Sequence, residues 1–232
     1  MDAVGNMHTA ALHAPLSSRQ RGGGRVSHIK AGGGVGLDAY TWDGRRYRHV
    51  ESGKFVARAT IVDLLRGVVD GAGDVMSGLG RAAAKGWISP AVFERAMQIE
   101  LKHAVNANTA LAAGGWDRVT PSMRGRSGAE LKKQYALVRG FAAELAAGNL
   151  SPEQAAARAR LYADAAYARY GQEERRRQAA QGVARWRWVT ARDDRVCSIC
   201  APRDGQTVAV ESQMPPIHPG CRCDVQPLKG AP

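Results

Sequence analysis

From Thr60 onward the apolar residues of this chain recur at intervals of three and four: Ile61, Leu64, Leu65, Val68, Ala72, Val75, Met76, Leu79 and Ala82. That spacing lines one face of an α-helix, with Asp63, Asp70 and Asp74 off the stripe. Gly67, Gly71, Gly73, Gly78 and Gly80 interrupt the pattern. Each weakens a helix by up to about 1 kcal/mol against Ala, so they imply close approach of a neighbouring backbone or a break near Gly71. Ser89-Pro90 starts a second helix, with Ile88 placed to staple onto Phe93 and a stop at Gly114-Gly115. Its stripe reads as Val92, Ala96, Ile99, His103 and Asn106, with His103 a hydrogen-bonded core or interface histidine. Residues 114–127 read as a loop ending in a capping box at Ser127 and Glu130. Leu131, Tyr135, Val138, Phe141, Ala142 and Leu145 then line a third helix. Ser151, Pro152 and Gln154 open an Ala-rich last helix of roughly 30 residues, about 45 Å long. It carries Tyr162, Tyr167 and Tyr170 and ends in Glu173-Glu174-Arg175-Arg176-Arg177, which reads as a solvated charged end that also complements the helix dipole.

On either side of the helices the pattern changes. Residues 1–37 are rich in Gly, Ser, Arg and His and read as a flexible arm. Residues 38–58 hold Asp43-Gly44 between aromatic residues and a second turn at Glu51-Ser52-Gly53-Lys54, the signal of a short hairpin that serves as a docking tab or as a cap on the helices. Residues 59–184 form the helical domain. Residues 185–232 form a separate module, in which Arg185-Trp186-Arg187-Trp188-Val189-Thr190 alternates with period two and Gln206–Val210 is the expected hairpin partner. The expected fold class is mainly α: several long helices with a small C-terminal β-hairpin module carrying a Cys/His zinc-type site.

Apolar residues make up 44% of the chain but aromatics only 6%, which favours thin, closely packed helices over one thick core. The net charge is +12, and a basic surface accumulates near nucleic acid or acidic partners. The excess is spread along the chain, as a coding bias toward Arg, Ala and Gly also produces. Asp63, Arg66, Asp70 and Asp74 interrupt the one stretch apolar enough to raise a bilayer span, so no membrane partner is expected.

All four cysteines lie in the last forty residues or so. Cys197 and Cys200 form a C-x-x-C pair; His218, Cys221 and Cys223 follow within one short stretch. Zinc takes four such ligands in a tetrahedron, two from a tight knuckle and two from a second turn. Five candidates compete for four places. Cys197, Cys200, His218 and Cys223 are the favoured set, with Cys221 competing for the last position or His218 donating a hydrogen bond to a four-cysteine site. A pair of disulfides and uncoordinated turn residues are the alternatives. A site with five candidates and no open position reads as structural zinc. A zinc deaminase has a proline before its C-x-x-C and an H-x-E upstream, whereas here Val196 precedes Cys197 and His103-Ala104-Val105 lacks the glutamate. A Walker loop and a G-x-S-x-G elbow are absent from the sequence, so no enzyme is expected and no catalytic residue is assigned.

Trp188, Asp193-Asp194-Arg195-Val196-Cys197, Cys200, Asp204-Gly205, Pro215-Pro216, His218-Pro219, Cys221-Arg222-Cys223 and Pro227 together resemble the closing motif of the Mu F-like phage head morphogenesis family, the minor head proteins. The resemblance implies a structural minor capsid protein of a tailed bacteriophage, bound at the portal vertex inside the capsid. It implies a virion location, with the host cytoplasm as the place of assembly. The implied partners are the portal protein, possibly the major capsid protein, and packaged double-stranded DNA held without sequence preference. The other reading is a nucleic-acid-binding zinc module with helical extensions.

Overall fold

Three of the helices begin with the same local chemistry. Ser89, Thr120 and Ser151 each stand in extended backbone before a proline. Their side-chain oxygens accept the N–H groups of Val92 at 3.3 Å, Met123 at 3.2 Å and Gln154 at 3.2 Å. A proline at the first helical position has no N–H to leave unpaired. At Ser151 the box closes, because the Gln154 side chain accepts the Ser151 N–H at 2.9 Å.

The structure, a computed structural model, describes residues 40–42, 47–190, 196–209, 214–218, 221 and 223–228. Within them lie the strands β1 (Tyr40–Trp42), β2 (Tyr47–His49) and β3 (Phe55–Val56). The helices α1 (Arg58–Ala84), α2 (Pro90–Ala113), α3 (Pro121–Ala146), α4 (Pro152–Leu161) and α5 (Asp164–Ala180) follow. The strands β4 (Arg185–Val189), β5 (Thr207–Val208) and β6 (Asp224–Leu228) close the order. This is the mainly α architecture with a small C-terminal strand module that the sequence predicts. The expected arm over 1–37 and the Asp43-Gly44 and Asp193-Asp194 turns lie outside the described residues.

Helix α2 packs against α1, α3 and α5, while α4 lies along α1. Met76, Phe93, Met97, Leu101, Val105, Val138 and Phe141 are fully buried between them. Phe93 meets Phe141 edge-on at 5.2 Å, and Tyr162 stacks on the same ring at 6.0 Å. The helix runs unbroken through Gly71, and close approach accounts for Gly73 and Gly80 only. A Cβ on Gly80 would stand 2.5 Å from the Ala155 carbonyl oxygen of α4, whereas Gly71 and Gly78 face open space. Gly80→Ala is therefore expected to destabilise by about 1–3 kcal/mol, because helix and helix must part. Gly71→Ala and Gly78→Ala are expected to stabilise by about 0.5–1 kcal/mol. Urea unfolding of the three variants checks the opposite signs.

Four expectations need correction. The buried face of α2 is Phe93, Met97, Leu101, Ala104 and Val105; Val92 and Ile99 are 50% and 46% exposed and His103 is exposed. Both stripes obey helical spacing, and the one with the larger apolar side chains takes the core. Second, α3 starts at Pro121, so Ser127 lies inside it, its hydroxyl 2.8 Å from Thr109 Oγ1 across the α2–α3 contact. Thr120-Pro121 supplies an earlier cap, and Glu130 accepts from Gln134. Third, the long last helix is two helices. At Tyr162 and Ala163 the bonding tightens to the carbonyl three residues back, as in Ala163 N to Arg160 O at 3.2 Å. One rod could not follow both α1, which α4 packs on, and α2, which α5 packs on. Fourth, Glu173, Glu174 and Arg175 at the charged end of that helix are buried while Arg176 is exposed, as described below.

The N-terminal strands form an antiparallel sheet in the order β1-β2-β3, turning at Gly53 with φ +63. Tyr47 is buried among Ile61, Leu65, Leu111, Tyr167 and Tyr170, and its hydroxyl donates to Leu111 O at 2.8 Å. Of the two roles expected for this element, capping the helices is the one observed.

Candidate metal centre

Strand β4 alternates Arg185, Trp186, Arg187, Trp188, Val189, with the tryptophans buried and the arginines exposed. It is the middle strand of an antiparallel sheet in the order β5-β4-β6. Trp186 faces Val208 on the expected hairpin partner, and Trp188 faces Val225 on β6. The β6 pairing is not foreseen by the hairpin reading; Pro227 within it is tolerated because an edge position accepts a residue that cannot donate. The inner face packs Trp186, Trp188, Val208, Met214 and Val225 together with Cys200, Cys221 and Cys223. Three of the eight buried residues are thus cysteines, so the core is small and sulfur forms much of it.

The turn after β4 holds the knuckle. Thr190 donates through its N–H to Asp204 Oδ1 at 2.9 Å, and Gly205 N donates to Trp188 O at 2.9 Å. Gly205 sits at φ +79, a conformation that favours glycine. Within the turn, Cys200 N and Ala201 N both donate to Cys197 O, at 3.0 and 2.9 Å. The turn after β5 brings in the second cluster, in which Cys221 N donates to His218 O at 3.2 Å.

The five predicted side chains meet. His218 Nε2 lies 3.1 Å from Cys197 Sγ and 3.2 Å from Cys200 Sγ, and Cys200 Sγ lies 3.9 Å from Cys221 Sγ. They fall into two triads, Cys197–Cys200–His218 and Cys200–Cys221–Cys223, each with its ligand atoms within 4.8 Å of one another. Cys200 belongs to both. A tetrahedral zinc with the usual bond lengths separates two thiolates by about 3.8 Å and a thiolate from an imidazole nitrogen by about 3.5 Å. A disulfide brings sulfurs to about 2.05 Å, and the four cysteines here are free. The donor set fits a metal ion, with Cys197, Cys200 and His218 on one side and Cys221 or Cys223 on the other.

The electrostatics suit thiolate ligands unequally. Burial pushes the Cys197 thiol up, but the N–H groups of Cys200 and Ile199 and the nearby His218 bring it down to about 7. Burial raises Cys200 above the ordinary thiol range, with the neighbouring cysteines adding to the effect. Cys223 is raised by burial and by Cys221, and the indole of Trp188 works in the opposite direction. That indole N–H is fully buried without a well-aligned acceptor among the described residues, a donor that a thiolate at Cys223 would suit.

Sequence reasoning missed what α5 does. Its Tyr167 hydroxyl donates to Cys223 O at 2.6 Å, and its Arg175 donates to Pro215 O at 3.0 Å. Trp186 Nε1 donates to Gln178 Oε1 at 2.7 Å. Arg169, Glu173, Glu174 and Arg175 are all buried, which overturns the solvated reading of this end. Glu173 accepts a two-pronged bond from Arg126 of α3, at 2.7 and 2.6 Å, and also pairs with Arg169 and Arg176. Arg177 lies over the Tyr47 ring and pairs with Glu174. The signal available in the sequence is that opposite charges alternate at three- and four-residue spacing among alanines; only the tertiary fold says which face they occupy.

Residues 117–226 match the model of a family described as Phage Mu protein F like protein. The match begins just before α3 and ends within β6, so it takes in all five candidate ligands together with α3, α4 and α5. No curated protein and no solved structure matches the chain.

Proposed function

Residues 117–226 are a Mu F-like region, and from that premise we propose that the protein is a structural minor head protein of a tailed bacteriophage. It acts in head morphogenesis, at the portal vertex on the inner side of the capsid, and is made and assembled in the host cytoplasm. The observation that carries this reading is the family match over the whole stretch that builds the pinned C-terminal sheet and its helical seat. No described helix is long and apolar enough to cross a membrane. The working units are the arm 1–37, the strand element 38–58, the helical domain 59–184 and the module 185–232. The Cys/His cluster holds a structural zinc ion, which supplies the module with a fixed centre in place of a larger apolar core.

Co-purification with a portal ring, with zinc measured on the same sample, tests the assignment. Portal-free particles that retain hundreds of copies would replace it with a decoration or scaffold role.

Contact with packaged DNA has its own support. The Arg185 and Arg187 side chains point outward from the middle strand and form no ion pair or hydrogen bond among the described residues. Arg187 lies between Thr207 and Gln226, both exposed. Guanidinium, hydroxyl and amide groups on one face are phosphate-oxygen partners. Most other arginines described above are engaged internally. The double variant Arg185→Glu, Arg187→Glu is expected to weaken duplex DNA binding and to flatten its log–log salt dependence by roughly 2. An unchanged slope, measured by fluorescence anisotropy, would remove DNA from this face. Tight, salt-dependent binding by the isolated protein without any portal association would favour the nucleic-acid-binding alternative.

A further inference from the structure

Both turns of the metal centre have internal hydrogen bonds, but the second, with Cys221 N on His218 O, is also held from outside. The knuckle organises itself, since two N–H groups of its own turn donate to Cys197 O. The second turn, from Pro215 through His218 and Cys221 to Cys223, is gripped at both ends by α5. Arg175 binds the carbonyl of Pro215 and Tyr167 binds the carbonyl of Cys223. Between them stands Gly171. A Cβ there would meet Arg175 Nη1 at 2.9 Å and stand 3.8 Å from the Pro215 carbonyl oxygen. Tyr167, Gly171 and Arg175 are spaced four and four along the helix, one stripe spanning about 12 Å of axis.

We infer that this stripe of α5 is a positioning surface that sets the metal affinity of the C-terminal centre, although it supplies no ligand. The inference rests on reading the Cys/His cluster as a metal centre. With the carbonyls of Pro215 and Cys223 held, less backbone is left for the ion to order. The grip acts on carbonyls rather than on sulfur, so it fixes where the imidazole and thiols stand without competing for the ion. By linkage, whatever affinity the helix gives the ion, the ion returns as stability of the helix–module contact. Metal loading thus locks the module onto the helical body.

The test uses the full chain with Tyr167→Phe, Gly171→Ala and Arg175→Gln, and reads Zn²⁺ and Co²⁺ affinity in competition with a chromophoric chelator. Each variant is expected to lose about 10- to 100-fold in affinity, the range for residues that orient ligands. At saturation the Co²⁺ absorption bands should match those of the unmodified protein, because the ligands are the same. Phe93→Leu, in the helical core, should lower the melting temperature without changing affinity. Tyr167→Phe removes a single oxygen and decides the matter if the others fail to fold. Unchanged affinity in that variant, or an equal loss in Phe93→Leu, overturns the positioning role. An unmodified protein that binds neither ion overturns the metal reading and this inference with it.

Discussion

Chelation of the proposed zinc, or Cys200→Ser, is expected to melt the C-terminal sheet while the helices persist. Cys200 is the one candidate ligand common to both triads, so its loss damages either possible ligand set. Little else is there to hold the module. Its strands are five, two and five residues long, and its inner face offers two tryptophans, two valines and a methionine besides the cysteines. A core of that size seldom supplies more than a few kcal/mol, whereas zinc contributes about 10–16 kcal/mol to the folding of small metal-pinned domains. Hydrogen exchange reads the outcome directly: with chelator the amides of β4 and β6 should lose protection while those of 93–105 keep it. Cys221→Ser and Cys223→Ser, made separately, should differ, and the more damaging one identifies the fourth ligand. Binding must also release protons, because burial holds the Cys200 and Cys223 thiols above their usual range. Affinity should therefore fall as pH falls, most steeply for Cys200 and Cys223, with Cys197 joining only below about 7. A sheet that keeps its exchange protection in chelator would show that apolar packing suffices.

The candidate site was legible because ligand chemistry is local. C-x-x-C forces two sulfurs onto one turn, and the only partners rich enough to complete a tetrahedron were His218, Cys221 and Cys223. Helix starts were legible for the same reason: Ser89-Pro90 and Ser151-Pro152 satisfy their own first turns. What the sequence withheld depends on distant neighbours. The face of α2 that turns inward is decided by competition between two stripes that are equally periodic. The break at Tyr162 exists because α4 and α5 answer to different helices. Strand β6 follows the second cysteine cluster directly and carries Pro227, which the edge position of the strand permits. The buried charges of α5 are the largest omission. A run such as Glu173–Arg177 carries no mark of burial until Arg126, forty-seven positions away, is seen bound to it.

Glu173→Ala is expected to be among the most damaging single changes in the helical body, at about 3–5 kcal/mol. Its carboxylate is 2% exposed and pairs with three arginines, of which Arg169 is 4% exposed. Burial and the neighbouring cations Arg176 and Arg126 already push the Arg169 pKa down to about 10, so the cluster carries an excess of positive charge even with Glu173 present. Without it, Arg169 becomes a buried cation lacking its closest counter-charge, and α3 loses its two-pronged hold on α5. Glu173→Gln should recover part of the loss, since an amide oxygen still accepts a hydrogen bond but cancels no charge. The pair Arg158–Glu144 is the comparison, with side chains 39% and 45% exposed. Water screens that pair, so Glu144→Ala should cost far less than Glu173→Ala. Urea titration of the three variants measures the order, and a Glu144→Ala loss as large as that of Glu173→Ala would mean that the buried cluster adds nothing beyond a surface pair. The order matters beyond stability, because α5 carries the seat of the candidate metal-binding turn on one stripe and this cluster on its neighbours. A helix loosened at Glu173 should therefore weaken metal binding as well, although every ligand remains in the sequence.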